Sequence, residues 1–179
     1  YQIVDDAFTN AFRTTNNWLN SDKHEMSLAN NFDWINRYYA NEHGRAGYDD
    51  SSGVSEVYAH HADPLNAYYM GGTNNIFVFG DGDAMNFMPF GVMDIAAHEF
   101  QHGVTDFTTP LIYAYESGAL NESFSDIFGA LVEFYSQPDG RGAYPHSIPG
   151  HSDWLLGEDV MYGEEEAFRD LRNPPHFSH

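Results

Sequence analysis

The pentapeptide His98-Glu99-Phe100-Gln101-His102 constrains the fold of this chain more than any other stretch. Two histidines four residues apart lie one turn above each other on one face of an α-helix, so both imidazoles can reach one zinc ion. Glu99, between them, can reach a water molecule at that ion. We therefore predict a helix from Asp94 to Asp106 with one face against a sheet. Because so short a pattern also arises by chance, two ordinary histidines on a half-buried helix are the alternative at this point.

A second amphipathic helix is predicted from Ala119 onward. Its apolar residues recur at helical spacing and predict a buried stripe: Leu120, Phe124, Ile127, Phe128, Leu131 and Tyr135. Another face carries Glu122, Asp126 and Glu133 without a nearby lysine or arginine. A catalytic zinc site needs three protein ligands and an open position for water. Glu122 is placed to be the third ligand, and Asp126 is placed to orient a ligand imidazole.

These two segments, His98–His102 and Glu116–Asp126, resemble the thermolysin family of zinc endopeptidases. The similarity continues through Gly80–Asp83 and Asp94–Ala97 and reaches Gly157–Asp159. The resemblance implies an α+β fold, the thermolysin-like zincin catalytic domain, in which a mixed sheet packs on two antiparallel metal-binding helices. It also implies a catalytic domain over residues 1–160, with residues 161–179 as the start of a C-terminal domain that is otherwise absent.

The resemblance assigns roles to residues around the zinc ion. It makes His98, His102 and Glu122 the zinc ligands, and Glu99 the general base. Tyr113 would hydrogen-bond the oxyanion of the reaction, with a buried core tyrosine as the alternative. Asn121, next to Glu122 in the chain, is predicted to contact the zinc ligands, as Asp126 does, without binding the ion itself. We interpret the match of Asn121 to a glycosylation sequon as spurious because it adjoins a zinc ligand.

A second metal site is predicted from carboxylates. Asp94 lies one turn before His98, and Glu133 lies three turns beyond Glu122, so in antiparallel helices both fall past the same end of the zinc site. Clustered carboxylates with little basic charge suit Ca²⁺. By resemblance the calcium ligands are Asp94, Glu133, Asp153 and Glu158. Leu155 stands where the family often has a further acid, so the resemblance supports one calcium ion better than two.

Three residues are predicted to contact substrate. Asn66-Ala67-Tyr68-Tyr69 resembles the family's edge strand beside the cleft, where an extended peptide adds to the sheet through Asn66 and Ala67. A turn asparagine beside Pro64 is the alternative. Arg172 could match a family arginine that contacts substrate. The aspartates of Gly80–Asp83 could bind an ion but are interpreted as turn formers.

Elsewhere the sequence predicts short elements. Residues 1–23 hold a modest helical pattern that Asp5 or Asp6 could cap. Ser27–Glu42 has the periodicity of a helix that stops near Gly44. Val54–His60 alternates like a strand, with Ser55, Val57 and Ala59 on one face. Asn75–Phe79 reads as a short strand, and Thr108–Ser117 as a loop.

Composition excludes several classes of partner. The chain has 27 acidic and 7 basic residues, which disfavours nucleic acid and anionic membranes. The acidic surface fits either tolerance of high salt or simple solubility. There is no cysteine, so no disulfide framework exists. Because the chain begins at Tyr1, we interpret it as a processed or excised product, and the resemblance implies an extracellular, secreted enzyme.

The expected function is hydrolysis of peptide or protein substrates by a zinc-bound water that Glu99 activates. Since the family's helical domain, which supplies a further histidine, is missing here, a truncated form or a nicked form with a separate C-terminal fragment is expected. Two alternatives remain open. One is a catalytically impaired module that binds zinc, calcium and peptides, and the other is a calcium-dependent structural module with a relic zinc motif.

Overall fold

The computed structural model describes residues 2–5, 23–137, 151–162 and 167–176, with the backbone alone at residues 2–5. Its helices are α1 (Lys23–His43), α2 (Met93–Thr108) and α3 (Tyr115–Ser136), with a short 3-10 turn at Glu158–Val160. Its strands are β1 (Gln2–Asp5), β2 (Glu56–Ala59), β3 (Ala67–Met70), β4 (Ile76–Phe79), β5 (Leu155–Leu156) and β6 (Arg169–Asp170). Among these residues, no helix has the length and hydropathy that crossing a membrane requires.

A mixed sheet of four strands has the order β1-β2-β4-β3. β1 pairs with β2 and β2 with β4 in parallel, whereas β3 pairs antiparallel with β4, from Ala67 opposite Phe79 to Met70 opposite Ile76. β3 is therefore an edge strand among the described elements. β5 and β6 form a separate antiparallel pair. This mixture of sheet and helices confirms the α+β prediction.

The core lies between the sheet and the first two helices. Phe32 of α1, Phe77 and Phe79 of β4, and Phe100 of α2 are fully buried and contact one another as an aromatic cluster. The predicted alternation of β2 is confirmed, since Val57 and Ala59 are buried whereas Val54 is exposed. α2 is thus held against the sheet by its apolar face.

The end of α1 confirms the predicted glycine stop. Gly44 has a φ of 62°, in the left-handed region where a glycine carries no Cβ penalty. The N–H of Gly44 donates to the carbonyl of Ala40, and the N–H of Arg45 donates to that of Tyr39. The first of these bonds, from the residue after the helix to the carbonyl four residues before it, is the bond of an αL cap.

The predicted buried stripe of α3 is wrong at three positions. Leu120, Phe124 and Ile127 have exposed fractions of 47%, 42% and 42%. The buried residues of α3 are instead mostly small or polar: Gly118, Asn121, Ser125, Asp126, Gly129, Ala130, Val132 and Glu133. The physical reason is close approach of the helices, because a Cβ on Gly129 would lie 2.8 Å from the carbonyl oxygen of Asp94.

Two boundaries also differ from the predictions. α3 begins at Tyr115, so the connecting loop is shorter than the predicted Thr108–Ser117. At the start of the chain, Gln2–Asp5 is a strand, because its backbone pairs in parallel with β2. Asp5 therefore belongs to a strand, and the rest of the predicted first helix lies outside the described residues.

Candidate metal centre and cleft

Two helices bring three potential zinc ligands to one point. His98 and His102 of α2 have perpendicular rings, with an interplanar angle of 82° and 3.0 Å between their Nε2 atoms. Glu122 of α3 lies 3.3 Å from His98 Nε2 through Oε2 and 3.4 Å from His102 Nε2 through Oε1. Two imidazoles and a carboxylate that converge in this way fit the ligand set of a catalytic zinc site.

The far nitrogen of each imidazole also has a polar neighbour on α3. His98 Nδ1 lies 2.8 Å from Asp126 Oδ1, and His102 Nδ1 lies 2.8 Å from Asn121 Oδ1. Ser125 Oγ lies 3.2 Å from the same His102 nitrogen. A proton held on Nδ1 would leave Nε2 free to bind a metal, and neighbours of this kind orient ligand imidazoles in metal sites. The sequence pointed to Asp126 and Asn121 but gave no signal for Ser125.

Arg169 was missed by the sequence reasoning. It makes two bonds to Asp126, from Nε to Oδ2 at 2.6 Å and from Nη2 to Oδ1 at 2.8 Å, and it lines the cleft. Arg172, predicted to contact substrate, instead lies 3.8 Å from Asp170 Oδ1 through Nε and is not among the described residues that line the cleft.

A cleft of about 660 Å³ opens over the metal ligands. One side is formed by α2 and α3, which contribute His98, Glu99, His102 and Glu122. The other side is formed by residues 65–69 at the edge strand β3, including Asn66 and Ala67. The structure therefore brings the predicted metal ligands, the predicted base and the predicted substrate strand to one cavity.

The surroundings of the two glutamates in the cleft shift their pKa values in opposite directions. Burial raises the pKa of Glu99, while the neighbouring imidazoles of His98 and His102 and the backbone N–H of Tyr69 act to lower it. The hydrogen bonds from His98 and Tyr113 lower the pKa of Glu122 to about 2. Burial alone would lower the pKa of His98, but Asp126 and Glu122 raise it to about 9. The metal-free site thus holds a proton where a cation would bind.

Tyr113 reaches the same centre from the loop before α3. Its hydroxyl donates to Glu122 Oε1, and this bond raises the tyrosine pKa to about 12. The side chain has an exposed fraction of 67%, so it is not a buried core tyrosine. It lines the cleft as a protonated donor.

A second cluster of carboxylates lies farther along the same helices. The side chains of Asp94, Glu133 and Glu158 are buried, and one carboxylate oxygen each from Glu133, Glu158 and Asp159 lies within 4.8 Å of the others. Burial and mutual repulsion raise the pKa of Asp94, Glu133 and Glu158. Asp153 adjoins the cluster, since its backbone N–H donates to Glu133 Oε2 at 3.4 Å. Asp159 had not been singled out as a ligand from the sequence.

This cluster has the chemistry of a cation site. Within the described ranges, Glu133 Oε1 and both carboxylate oxygens of Glu158 are buried without a hydrogen-bond partner. Buried polar groups without partners carry a large desolvation cost. Carboxylate oxygens are the ligands that Ca²⁺ prefers, so a calcium ion would fit this donor set.

Comparison with known proteins gives a consistent result. The profile of the thermolysin metallopeptidase catalytic domain matches residues 4–106, and that of the alpha-helical domain matches residues 109–179. Thermolysin of Alicyclobacillus acidocaldarius is 40% identical over 137 residues, covering 73% of this chain and 25% of the relative. Bacillolysin of Brevibacillus brevis is 38% identical over 140 residues, covering 76% of this chain and 23% of the relative.

A solved structure, the precursor of protealysin, a metalloproteinase from Serratia proteamaculans, superposes with a TM-score of 0.75 at 26% identity. The superposition covers 94% of this chain and 52% of that chain. This chain spans about a quarter of the length of the curated relatives that it matches. The profile matches and the shared fold agree with the ligand geometry. The chain belongs to the thermolysin family of metallopeptidases.

Proposed function

We propose that this chain carries the catalytic centre of a zinc endopeptidase that hydrolyses peptide bonds outside the cell. The observation that carries the proposal is the convergence of His98 Nε2, His102 Nε2 and the Glu122 carboxylate at one point of a cleft. Glu99 and the edge strand β3 line the same cleft. A zinc ion bound there would supply Lewis-acid polarisation of a peptide carbonyl and acidification of water.

Glu99 is proposed as the general base. Its carboxyl group is buried beside both imidazoles and borders the cleft. A carboxylate in this position can take a proton from the attacking water and later return it to the leaving amine. The raised pKa of Glu99 suits both transfers, because it brings the proton affinity of the carboxylate closer to neutral pH.

Tyr113 is proposed to stabilise the negative oxygen that develops on the substrate. Its exposed side chain can exchange the hydrogen bond to Glu122 for one to that oxygen. A single hydrogen-bond donor of this kind lowers the activation free energy by about 3 kcal/mol. Arg169 is proposed as a positioning residue, since its two bonds hold Asp126 against His98.

The substrate is proposed to bind as an extended strand along β3. The described partner of β3 is β4, on one side only, and the residues Asn66 and Ala67 border the cleft. Backbone groups of an edge strand can pair with an added peptide strand. Asn66 is exposed and lines the cleft, so its side chain can contact the substrate.

Calcium is proposed as the second cofactor, held by Asp94, Glu133, Asp153 and Glu158, with Asp159 close to them. A donor set made of buried carboxylates suits Ca²⁺, a hard cation that prefers oxygen ligands.

Replacement of Glu99 by glutamine tests the proposed function. We expect Glu99→Gln to lower kcat/KM for a quenched fluorescent peptide by about 10² to 10⁴, because the general base is lost. Bound zinc, measured by elemental analysis, should stay at the wild-type ratio. Glu42→Gln, at an exposed position near the end of α1, is the matched control and should cleave normally.

Cleavage by Glu99→Gln at the wild-type rate would contradict the proposal. If the wild-type chain binds the peptide and zinc but never cleaves, the alternative of a peptide-binding module with no turnover is supported instead.

A further inference from the structure

A second histidine cluster lies at the ends of three elements away from the cleft. His24 is in the first turn of α1, His60 follows the last residue of β2, and Asp81 follows β4 by two residues. None of the three is among the residues that line the cleft. Because β2 and β4 are parallel neighbours, their carboxyl ends meet at the same edge of the sheet, and the start of α1 reaches that edge.

The aspartate connects the two imidazoles. His60 Nδ1 lies 2.7 Å from Asp81 Oδ1 and 2.9 Å from Oδ2, and His24 Nδ1 lies 2.9 Å from Oδ1. One donor atom from each residue lies within 4.8 Å of the other two. The two rings are nearly perpendicular, with an interplanar angle of 87°, as they are at the zinc centre.

Glu25 contacts the far side of the His60 ring. Its Oε1 lies 3.1 Å from His60 Nε2, so a proton on Nε2 would leave Nδ1 directed at Asp81 as a lone-pair donor. A carboxylate on the far nitrogen is the arrangement that orients histidines bound to metals. It repeats the contact of Asp126 with His98 in the cleft.

The backbone of His60 is itself strained. Its φ of 60° lies in the left-handed region, which is costly for a residue other than glycine. Strain of this kind persists where the surrounding structure over-determines the conformation, and it is common at functional sites.

We propose that His24, His60 and Asp81 form a third metal site, for a divalent first-row transition ion such as Zn²⁺. Imidazoles with a carboxylate suit these ions, whereas Ca²⁺ prefers oxygen ligands alone. Zinc binds such donors at about 2.0 to 2.2 Å, so small side-chain shifts bring all three within reach of one ion. The negative charges of Asp81 and Glu25 match a divalent cation.

The site is accessible from one side. The side chains of Asp81 and His60 are 46% and 35% exposed, whereas that of His24 is 5% exposed. An ion can therefore enter from solvent and keep water in its remaining positions. An ion bound at this site would connect the first turn of α1 to the ends of β2 and β4.

Zinc titration of the metal-free full chain in excess calcium tests this site. We expect two zinc equivalents for the wild type, and one for each of His60→Gln and Asp81→Asn, by isothermal titration calorimetry. His61→Gln is the matched control and should keep two equivalents, because this adjacent histidine lies against the hydroxyl of Tyr68 and is outside the cluster. One equivalent in the wild type, or two in both cluster variants, would overturn the proposal.

Two further variants separate this site from the catalytic centre. His102→Gln should lose the zinc ion of the cleft and keep the one at His24, His60 and Asp81, whereas His60→Gln should do the opposite. Failure of the cleft site and failure of this site are therefore distinguishable. Glu25→Gln should weaken zinc binding at the cluster by about 10- to 100-fold without losing the equivalent. A crystal soaked in zinc should show an anomalous peak between His24, His60 and Asp81, and a peak only elsewhere would count against the site.

Discussion

Glu99 and Glu122 face one cleft, yet their neighbours shift their pKa values in opposite directions. Hydrogen bonds from His98 and Tyr113 lower the pKa of Glu122 to about 2, so this carboxylate is always available as a ligand. Burial raises the pKa of Glu99, which suits a group that must accept and release a proton. This difference supports the proposed roles of Glu99 as general base and of Glu122 as a zinc ligand.

Asp126 is a second residue whose role can be measured separately. We expect Asp126→Asn to weaken zinc binding by about 10- to 100-fold, because its carboxylate orients the His98 ring. Zinc affinity can be measured by competition with a chromophoric chelator. Asp33→Asn is the control, since Asp33 forms an exposed pair with Arg37 at 2.7 Å and such pairs contribute little. Equal zinc affinity in Asp126→Asn and wild type would show that Asp126 does not orient the ligand.

At this scale the sequence identified residues that are close together in the chain or belong to a motif. The histidines four apart and the carboxylates one turn apart on α3 lie where helical spacing predicts. The sequence offered Asp81 as a possible ion ligand but interpreted it as a turn former, and it did not indicate His24 or His60, because the three residues are brought together only by the parallel pairing of β2 with β4. No local pattern indicates that pairing.

Among the elements, α2 and α3 approach each other through Gly129. We expect Gly129→Ala to destabilise the protein, because its Cβ would lie 2.8 Å from the Asp94 carbonyl oxygen and must force the helices apart. Overpacking lowers the free energy of unfolding by about 1 to 3 kcal/mol. The higher helix propensity of alanine raises it by at most about 1 kcal/mol. Urea unfolding in the presence of calcium should show the lower stability, and a calcium titration should show weaker calcium binding.

Gly118→Ala is the matched control on the same helix. Its Cβ would lie 3.4 Å from the nearest atom, the carbonyl carbon of Tyr113, which is an ordinary contact. This variant should be as stable as the wild type or slightly more stable. If Gly129→Ala behaves like Gly118→Ala, close helix approach does not depend on Gly129.

The hydrophobic periodicity of the sequence predicted which segments are helices better than it predicted which face of each helix is buried. α1 and α2 were found because their apolar faces are also their buried faces. In α3 the apolar residues Leu120, Phe124 and Ile127 are exposed, while a face with Ser125 and Gly129 is buried. Hydrophobic spacing reports which face is apolar, but steric fit and the metal ligands decided which face packs on α2. β1 was missed because its pairing with β2 spans more than fifty residues of chain.

For the whole molecule, stability should depend on pH in opposite ways with and without metal. In the metal-free chain the pKa values of Glu133 and Glu158 are raised by burial and repulsion, and the pKa of His98 is raised to about 9. The native state therefore binds more protons than the unfolded state at neutral pH. Its free energy of unfolding should fall as pH rises from about 6 to 8.

With zinc and calcium bound, the sign should reverse, because the ligands must lose their protons to bind metal. Urea unfolding at three pH values in this range, in chelator and in saturating metal, measures both slopes. A metal-free chain that gains stability as pH rises would contradict the assignment of the raised pKa values to these sites.

The helix pair α2 and α3 carries both the proposed zinc ligands and the carboxylate cluster, and only one helical turn separates Asp94 from His98. Withdrawal of calcium would leave mutually repelling anions wedged between the two helices that must also hold the imidazoles in place. A medium that sequesters calcium would then act as a reversible off-switch for hydrolysis, with every catalytic side chain chemically intact.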